Sequence, residues 1–317
     1  MAKARWSEQQ AVALLTRLFG GTRKGTLVGI GDDAAIIAGS GSSLVLTIDA
    51  CVEHVHFERR WLALADVGWR ATQAAVSDLA AMGARPLAAL SNLSLPERFS
   101  RSDLAALGRG QAAAARSLGC PIVGGNLTRA SELSITTAVI GTCREPLLRS
   151  GARPGDELWC VGELGLAAAG LSWLQSGKRA AGAARRCVSA WRRPEALLAV
   201  GLKLGKRASA CCDVSDGLAR DAQHLAESSG VRIVIEERAL VAALAPELTE
   251  TAERLGRPAL GFALGGGEDY ALLCTGPAER RPRGARRLGR VVRGRGVVLE
   301  EPSGRLVTAR GGFDHLS

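Results

Sequence analysis

GIGDDAAII at 29–37 and LVLTID at 44–49 are short apolar runs that carry aspartate and are bounded by glycine and serine. Runs of this length, rich in Ile, Leu and Val between turn-forming residues, read as strands over 27–37 and 44–49. Upstream, Ser7-Glu-Gln-Gln10 has the spacing of a capping box, leading into a periodic apolar helix at 11–19 and a glycine-rich break at 20–25. Downstream, 62–84 carries helical spacing with many alanines, 87–95 reads as a strand, and 103–118 as a helix stopped by Gly119. Strands follow at 122–123 and 133–143, and then the turn-rich RSGARPGD at 149–156. That turn divides the chain into 1–148 and 149–317. The second part reads as strands at 157–162, 231–236, 270–274 and 288–299, with helices at 164–174, 194–207 and 217–228. The expected class is α/β, with mixed α+β sheets in two domains.

Bulk properties bound the function. A chain of 317 residues, 47% hydrophobic and 23% charged, is globular and long enough for two cores. No apolar run approaches the roughly 20 residues of a membrane helix, and Met1-Ala-Lys-Ala-Arg-Trp6 lacks a secretory apolar stretch. A cytoplasmic protein with no membrane partner is expected. The eight cysteines contain no C-x-x-C pair, and Cys120, Cys143, Cys160 and Cys274 lie in or beside apolar runs, so they read as reduced, buried small hydrophobes. The net charge of +10 owes much to arginines between Arg280 and Arg295, where no aromatic is available for base stacking. A solvated basic face is expected, without nucleic acid as a partner.

The chemistry lies in carboxylates. Asp32 and Asp33, Asp49, Asp78, and Asp213 with Asp216 each end or adjoin an apolar run, and Glu268-Asp269 follows three glycines. Carboxylates converging on one cleft repel unless cations neutralise them, and hard oxygen donors select Mg²⁺. Such ions bridge phosphate oxygens, which points to a nucleotide. The alternative is that Asp78 and Asp216 are helix N-caps. GLKLGK at 201–206 imitates a phosphate-binding loop but is one residue short and followed by Arg207. Gly124-Gly125 after the strand 122–123 is either a phosphate-cradling turn or an ordinary strand end. VSDLAA at 76–81 echoes VSDGLA at 214–219, each read as a strand-like lead into Ser-Asp and a helix.

Taken in order, GIGDDAAII (29–37), TIDACVEHVHF (47–57), SDLAAMGARP (77–86), GGNLTR (124–129), RSGARPGD (149–156), DVSDGLARD (213–221) and GGEDYALL (266–273) resemble the thiamine-monophosphate kinases. These belong to the larger family of aminoimidazole-ribonucleotide synthetase-like ATP enzymes. The resemblance implies that two-domain fold and ATP-dependent phosphorylation of thiamine monophosphate to the diphosphate by direct in-line transfer. It also implies a homodimer joined through the N-terminal domains, with active sites in the clefts between domains. It places Asp33, Thr47, Asp49, Asp78, Asp213 and Asp216 at Mg²⁺ positions, with Asp49, Asp78 and Asp216 central to catalysis. Gly125, Arg149 and Ser215 fall on ATP positions, and His56 and Glu268 on substrate positions. A requirement for K⁺ stays open.

The chain also departs from the pattern. Asn126 stands where a metal-binding aspartate is usual, so it offers a carbonyl oxygen without charge. Ile48 and Ala75 replace polar residues beside the metal sites. Arg310 stands where an aromatic commonly meets the thiamine ring, with Phe313 the nearest aromatic. These departures leave room for a related kinase with another acceptor, or for a weakly catalytic protein that senses nucleotide or thiamine phosphate. A selenophosphate synthetase would want a reactive N-terminal cysteine, whereas the first here is Cys51.

Overall fold

The computed structural model describes residues 8–19, 25–309 and 311–313. Ser7, the expected helix cap, and Arg310 lie outside them. The first half contains α1 (Glu8–Phe19), β1 (Thr26–Val28), β2 (Ala35–Ile37), β3 (Ser43–Val52), α2 (Leu64–Ala81), β4 (Arg85–Pro96), α3 (Arg101–Leu118), β5 (Ile122–Ala130) and β6 (Ser134–Cys143). Its six strands join in the order β1-β2-β3-β6-β4-β5. All neighbours are antiparallel except β4 and β5, which run parallel through the crossover helix α3. That helix starts at a Ser100–Asp103 capping box and stops at Gly119 in the left-handed region, as its sequence requires.

Strand alternation sets the two faces of this sheet. On β3, Val45 and Cys51 are buried beneath α2, whereas Ile48 points the other way and is 68% exposed. Leu90 and Ile140 share that exposed face by register. The single strand expected over 27–37 is in fact two, because the Gly-Asp-Asp segment turns the chain between β1 and β2. Gly124-Gly125 is not a strand-end turn: β5 passes straight through it. A Cβ on Gly125 would collide with the Ser91 carbonyl of β4, so close strand approach is why glycine stands there.

Helix α2 is buried along most of its length, and its alanines and glycines permit this. A side chain on Gly68 would strike the Leu107 carbonyl of α3, and one on Gly110 of α3 the Ala65 carbonyl of α2. Val76-Ser77-Asp78 lies inside α2 rather than on a strand, so its likeness to residues 214–219 is local sequence, not repeated structure. For the same reason Asp78 is no N-cap. Neither is Asp216, since Gly217 takes that place at the next helix without a side-chain cap.

The second half comprises β7 (Glu157–Val161), α4 (Leu166–Gln175), α5 (Ala184–Arg192), α6 (Leu198–Leu204), β8 (Ala210–Val214), α7 (Leu218–Ser229) and β9 (Arg232–Glu236). It continues with α8 (Glu237–Ala243), α9 (Pro246–Arg254), α10 (Ala259–Gly265), β10 (Ala271–Gly276), β11 (Arg286–Val292), β12 (Gly296–Glu300) and β13 (Leu306–Thr308). The strand order is β13-β12-β9-β11-β7-β10-β8, with only β9 and β12 parallel. The helix expected over 194–207 shrinks to α6 and a short 3₁₀ turn, and 288–299 splits at the Gly294 turn. Trp159, Cys211, Leu272 and Cys274 of this sheet share one apolar core with Val76, Leu79 and Met82, which joins the halves.

All eight cysteines are free and seven are buried. The basic stretch is paired in part and solvated in part: Arg286 pairs with Glu163 at 2.8 Å, Arg287 with Glu236 at 2.6 Å and Arg290 with Glu300 at 2.8 Å, while Arg283, Arg293 and Arg295 are exposed. Among the described residues no helix is long and apolar enough to cross a membrane.

Because Gly110 permits the α2–α3 contact, Gly110→Ala is expected to destabilise the fold by about 1–3 kcal/mol through overpacking. Thermal denaturation measures this; an unchanged melting temperature would mean the helices separate without cost.

Candidate active site

Asp33, Asp78 and Asp213 bring carboxylate oxygens within 4.8 Å of one another. Each arrives on a different element: the β1–β2 turn, the last turns of α2, and β8. Local hydrogen bonds fix them. Asp213 accepts from the Ser77 hydroxyl at 2.6 Å, and Asp78 from the hydroxyl of Thr47 on β3. Arg149 donates to Asp33 from Nη2 at 2.7 Å and from Nε at 3.2 Å. The neighbouring Asp32 carboxylate accepts the Arg149 backbone N–H, which seats the guanidinium.

Electrostatically the cluster is under-compensated. Burial, opposed by Arg149 and reinforced by Asp213, pushes Asp33 up to about 7. Burial pushes Asp213 up to about 6, with the Ser77 hydrogen bond and Arg149 restraining it. Asp78 rises well above the carboxylate range, through burial and then the charges of Asp213 and Asp33. Its position near the negative end of α2 adds to the cost of ionisation. The second oxygen of Asp33, Oδ2, is buried without a hydrogen-bond partner. A dry, oxygen-only, acceptor-rich site with an orphaned carboxylate oxygen fits a hard divalent cation such as Mg²⁺.

The cluster borders a cleft of about 460 Å³ between the halves. Asp49 and His56 enter it from β3 and the loop beyond, Asp78 from α2, and Asp213, Ser215 and Asp216 from β8 and its following turn. Glu268 and Phe313 line it from the C-terminal side. Asp49 sits in the middle of β3, not at a strand end. The Nδ1 of His56 accepts the Val52 N–H at 3.1 Å, so the neutral ring carries its proton on Nε2. Phe313 is tethered where its N–H meets the Asp216 carbonyl at 3.0 Å.

Two expected members stand apart. Gly125 and Asn126 lie on β5, where register places Gly125 three strand spacings, about 14 Å, from Asp49. Asn126 is exposed there and donates to Asn92 Oδ1 at 3.0 Å.

Other contributors have no role assigned from sequence, although Glu268-Asp269 reads as one of the acidic places. Asp221 accepts from the Asp216 and Gly217 N–H groups at 3.2 and 3.0 Å and so shapes the turn that presents Asp216. Asp269 caps the start of α4 through Gly165 N–H at 2.6 Å, and burial pushes its carboxyl up to about 7. Glu268 and Tyr270 flank it with positive φ values of 67° and 49°. Arg70, 1% exposed, is the plainest missed signal: a charge inside an apolar helix demands a buried partner.

Raised folded-state pKa values set the sign of a pH effect. A carboxyl held at about 7 when folded and 3.8 when unfolded favours the fold below pH 3.8, and that contribution is lost as pH rises to about 7. With a chelator present, the melting temperature is therefore expected to fall between about pH 4 and 7. Mg²⁺ is expected to restore it at pH 8 and to do little at pH 5. Asp78→Asn is expected to raise chelated stability by on the order of 1 kcal/mol. A melting temperature indifferent to both pH and Mg²⁺ would contradict this account.

Residues 31–143 match the AIR synthase related protein N-terminal domain, and 153–300 the corresponding C-terminal domain. The thiamine-monophosphate kinase of Aquifex aeolicus is 37% identical over 282 residues, spanning 87% of this chain and 91% of that protein. That of Mycobacterium tuberculosis is 37% identical over 90% of this chain and 86% of its own length. The solved structure of AaThiL complexed with AMPPCP and TMP superposes with a TM-score of 0.92 at 34% identity, covering 99% of each chain. The chain is therefore a member of the thiamine-monophosphate kinase family, built from the two AIR synthase related domains.

Proposed function

We propose that this protein uses ATP to phosphorylate thiamine monophosphate to thiamine diphosphate, by direct in-line transfer in the cleft between two domains that meet near residues 148 and 149. The observation that carries it is the triad of buried Asp33 and Asp213 with half-buried Asp78, opening onto the cleft that also holds Asp49, Asp216, His56, Glu268 and Phe313. AaThiL accommodates an ATP analogue and TMP on the same fold. We assign Mg²⁺ to the triad, with Thr47, Asp49 and Asp216 around it. When bound, the metal supplies positive charge to the transferring phosphoryl group. Arg149 and Ser215 then orient the nucleotide, while His56 offers an N–H donor to the acceptor's phosphate. Little side-chain acid–base work is required, because phosphoryl transfer depends on positioning and charge. A cytoplasmic location accords with this substrate set.

Purified protein with ATP, Mg²⁺ and thiamine monophosphate is expected to yield thiamine diphosphate, measured by chromatography of the products. Asp216→Asn is expected to lower kcat by about 100-fold or more while leaving the fold intact. Folded protein that binds ATP yet makes no diphosphate would overturn the proposal. Turnover of a different phosphorylated heterocycle in its place would reassign the acceptor.

We also propose a homodimer packed through the exposed face of the first sheet. Support comes from Ile48, Leu90 and Ile140 on that face and from the exposed edge strand β5. Leu90→Asp is expected to shift the dimer to monomer by light scattering; a monomeric unmodified protein would refute the assembly.

A further inference from the structure

Arg70, Trp191 and Glu268 meet from three elements: α2 of the first half, α5 of the second, and the loop before β10. The Arg70 guanidinium is buried against Glu268 Oε1 and donates to the Trp191 backbone carbonyl. It also lies 5.1 Å from the Trp191 ring. The indole Nε1 of Trp191 donates to the other Glu268 oxygen, Oε2, at 3.0 Å. Trp61 braces the indole edge-on at 6.3 Å. Glu268 itself is held in the left-handed region, its N–H donating to the Ser215 carbonyl at 2.7 Å.

Both oxygens of Glu268 are thus engaged on the protein side, while its side chain remains 25% exposed to the cleft. Burying a guanidinium in an alanine-rich helix costs several kcal/mol unless it is paired. The planar fork of arginine meets both acceptors in a fixed geometry that a lysine's single ammonium on a flexible stem does not hold. We infer that Arg70 is a positioning residue for the acceptor: through Glu268 it presents a charge-compensated carboxylate as a hydrogen-bond acceptor to the N–H groups of a heteroaromatic ring. Glu268 then selects by hydrogen bonding rather than as a bare counter-ion. This inference rests on the proposed kinase reaction and names the part of the cleft that recognises its acceptor.

The test compares Arg70→Lys and Trp191→Phe with the unmodified protein. For Arg70→Lys, KM for thiamine monophosphate is expected to rise about tenfold, the effect of losing one charge-assisted hydrogen bond. KM for ATP should stay within about twofold, well below the effect of one lost hydrogen bond. Trp191→Phe keeps the aromatic packing, loses the indole donor, and should raise the same KM alone by about threefold, a neutral hydrogen bond's weaker effect. If Arg70→Lys does not fold, Trp191→Phe carries the test. Unchanged KM for thiamine monophosphate in the folded variants overturns the positioning role. Parallel rises in both KM values with a lowered melting temperature overturn it as well, because a structural role would do the same. If the unmodified protein neither turns over nor binds thiamine monophosphate, by tryptophan fluorescence, the functional proposal fails first.

Discussion

Three carboxylates within 4.8 Å, two buried and one half-buried, restrained by one nearby guanidinium, set the terms for the rest of this molecule. Like charges in a low-dielectric setting repel strongly, and desolvation raises Asp33, Asp78 and Asp213 together. No local gain within the unliganded site offsets that cost. Stability must come from elsewhere, and the core shared between α2 and the second sheet supplies it. Asp33, Asp78 and Asp213 are anchored to a sheet turn, a buried helix and the fully buried edge strand β8, which hold them together. Rigidity of this kind is what a preorganised charge site requires.

Helix α2 is the ruler of the cleft. Arg70, Ala74 and Asp78 stand at four-residue spacing, so they share one face. Two turns and a fraction separate Arg70 from Asp78, about 12 Å along the axis. Arg70 holds the Glu268 end, Asp78 belongs to the carboxylate cluster, and Ala74 lines the cleft between them. A small residue at the middle leaves the floor open. The same economy of side-chain volume lets α3 approach through Gly68 and Gly110.

Much of this was legible in the sequence, for physical reasons. Short β-branched runs between glycines became strands, and Gly119 ended α3 because only glycine takes its left-handed turn without strain. The clustering of aspartates was legible too, since five acidic segments cannot all be caps, and the structure gathers Asp33, Asp78 and Asp213 within 4.8 Å of one another. Other features were hidden. Val76-Ser-Asp78 falls within the helical spacing of 62–84, and its likeness to 214–219 suggests a strand-like lead because so brief a run has no periodicity of its own. The short helices α5 and α8–α10 lack long periodic patterns. Pairing of the 286–290 arginines with Glu163, Glu236 and Glu300, and of Arg70 with Glu268, depends on chain crossings that local sequence does not encode. Asn126, grouped with the aspartates by the family resemblance, lies within the single chain on β5, three strands from β3.

The two ends of the cleft differ in a way that gives it direction. At the Glu268 end, the carboxylate is balanced within the protein by Arg70 and the Trp191 indole. At the Asp78 end, the carboxylates exceed their protein cations, so positive charge must come from solution. In the proposed reaction, metal with nucleotide phosphate would occupy the second end and a ring bearing N–H donors the first. An acceptor with a ring at one end and a phosphate at the other would then have one favourable orientation, its phosphate toward the Asp78 end. Charge imbalance, and not shape alone, would then decide which end of the acceptor meets the transferred group.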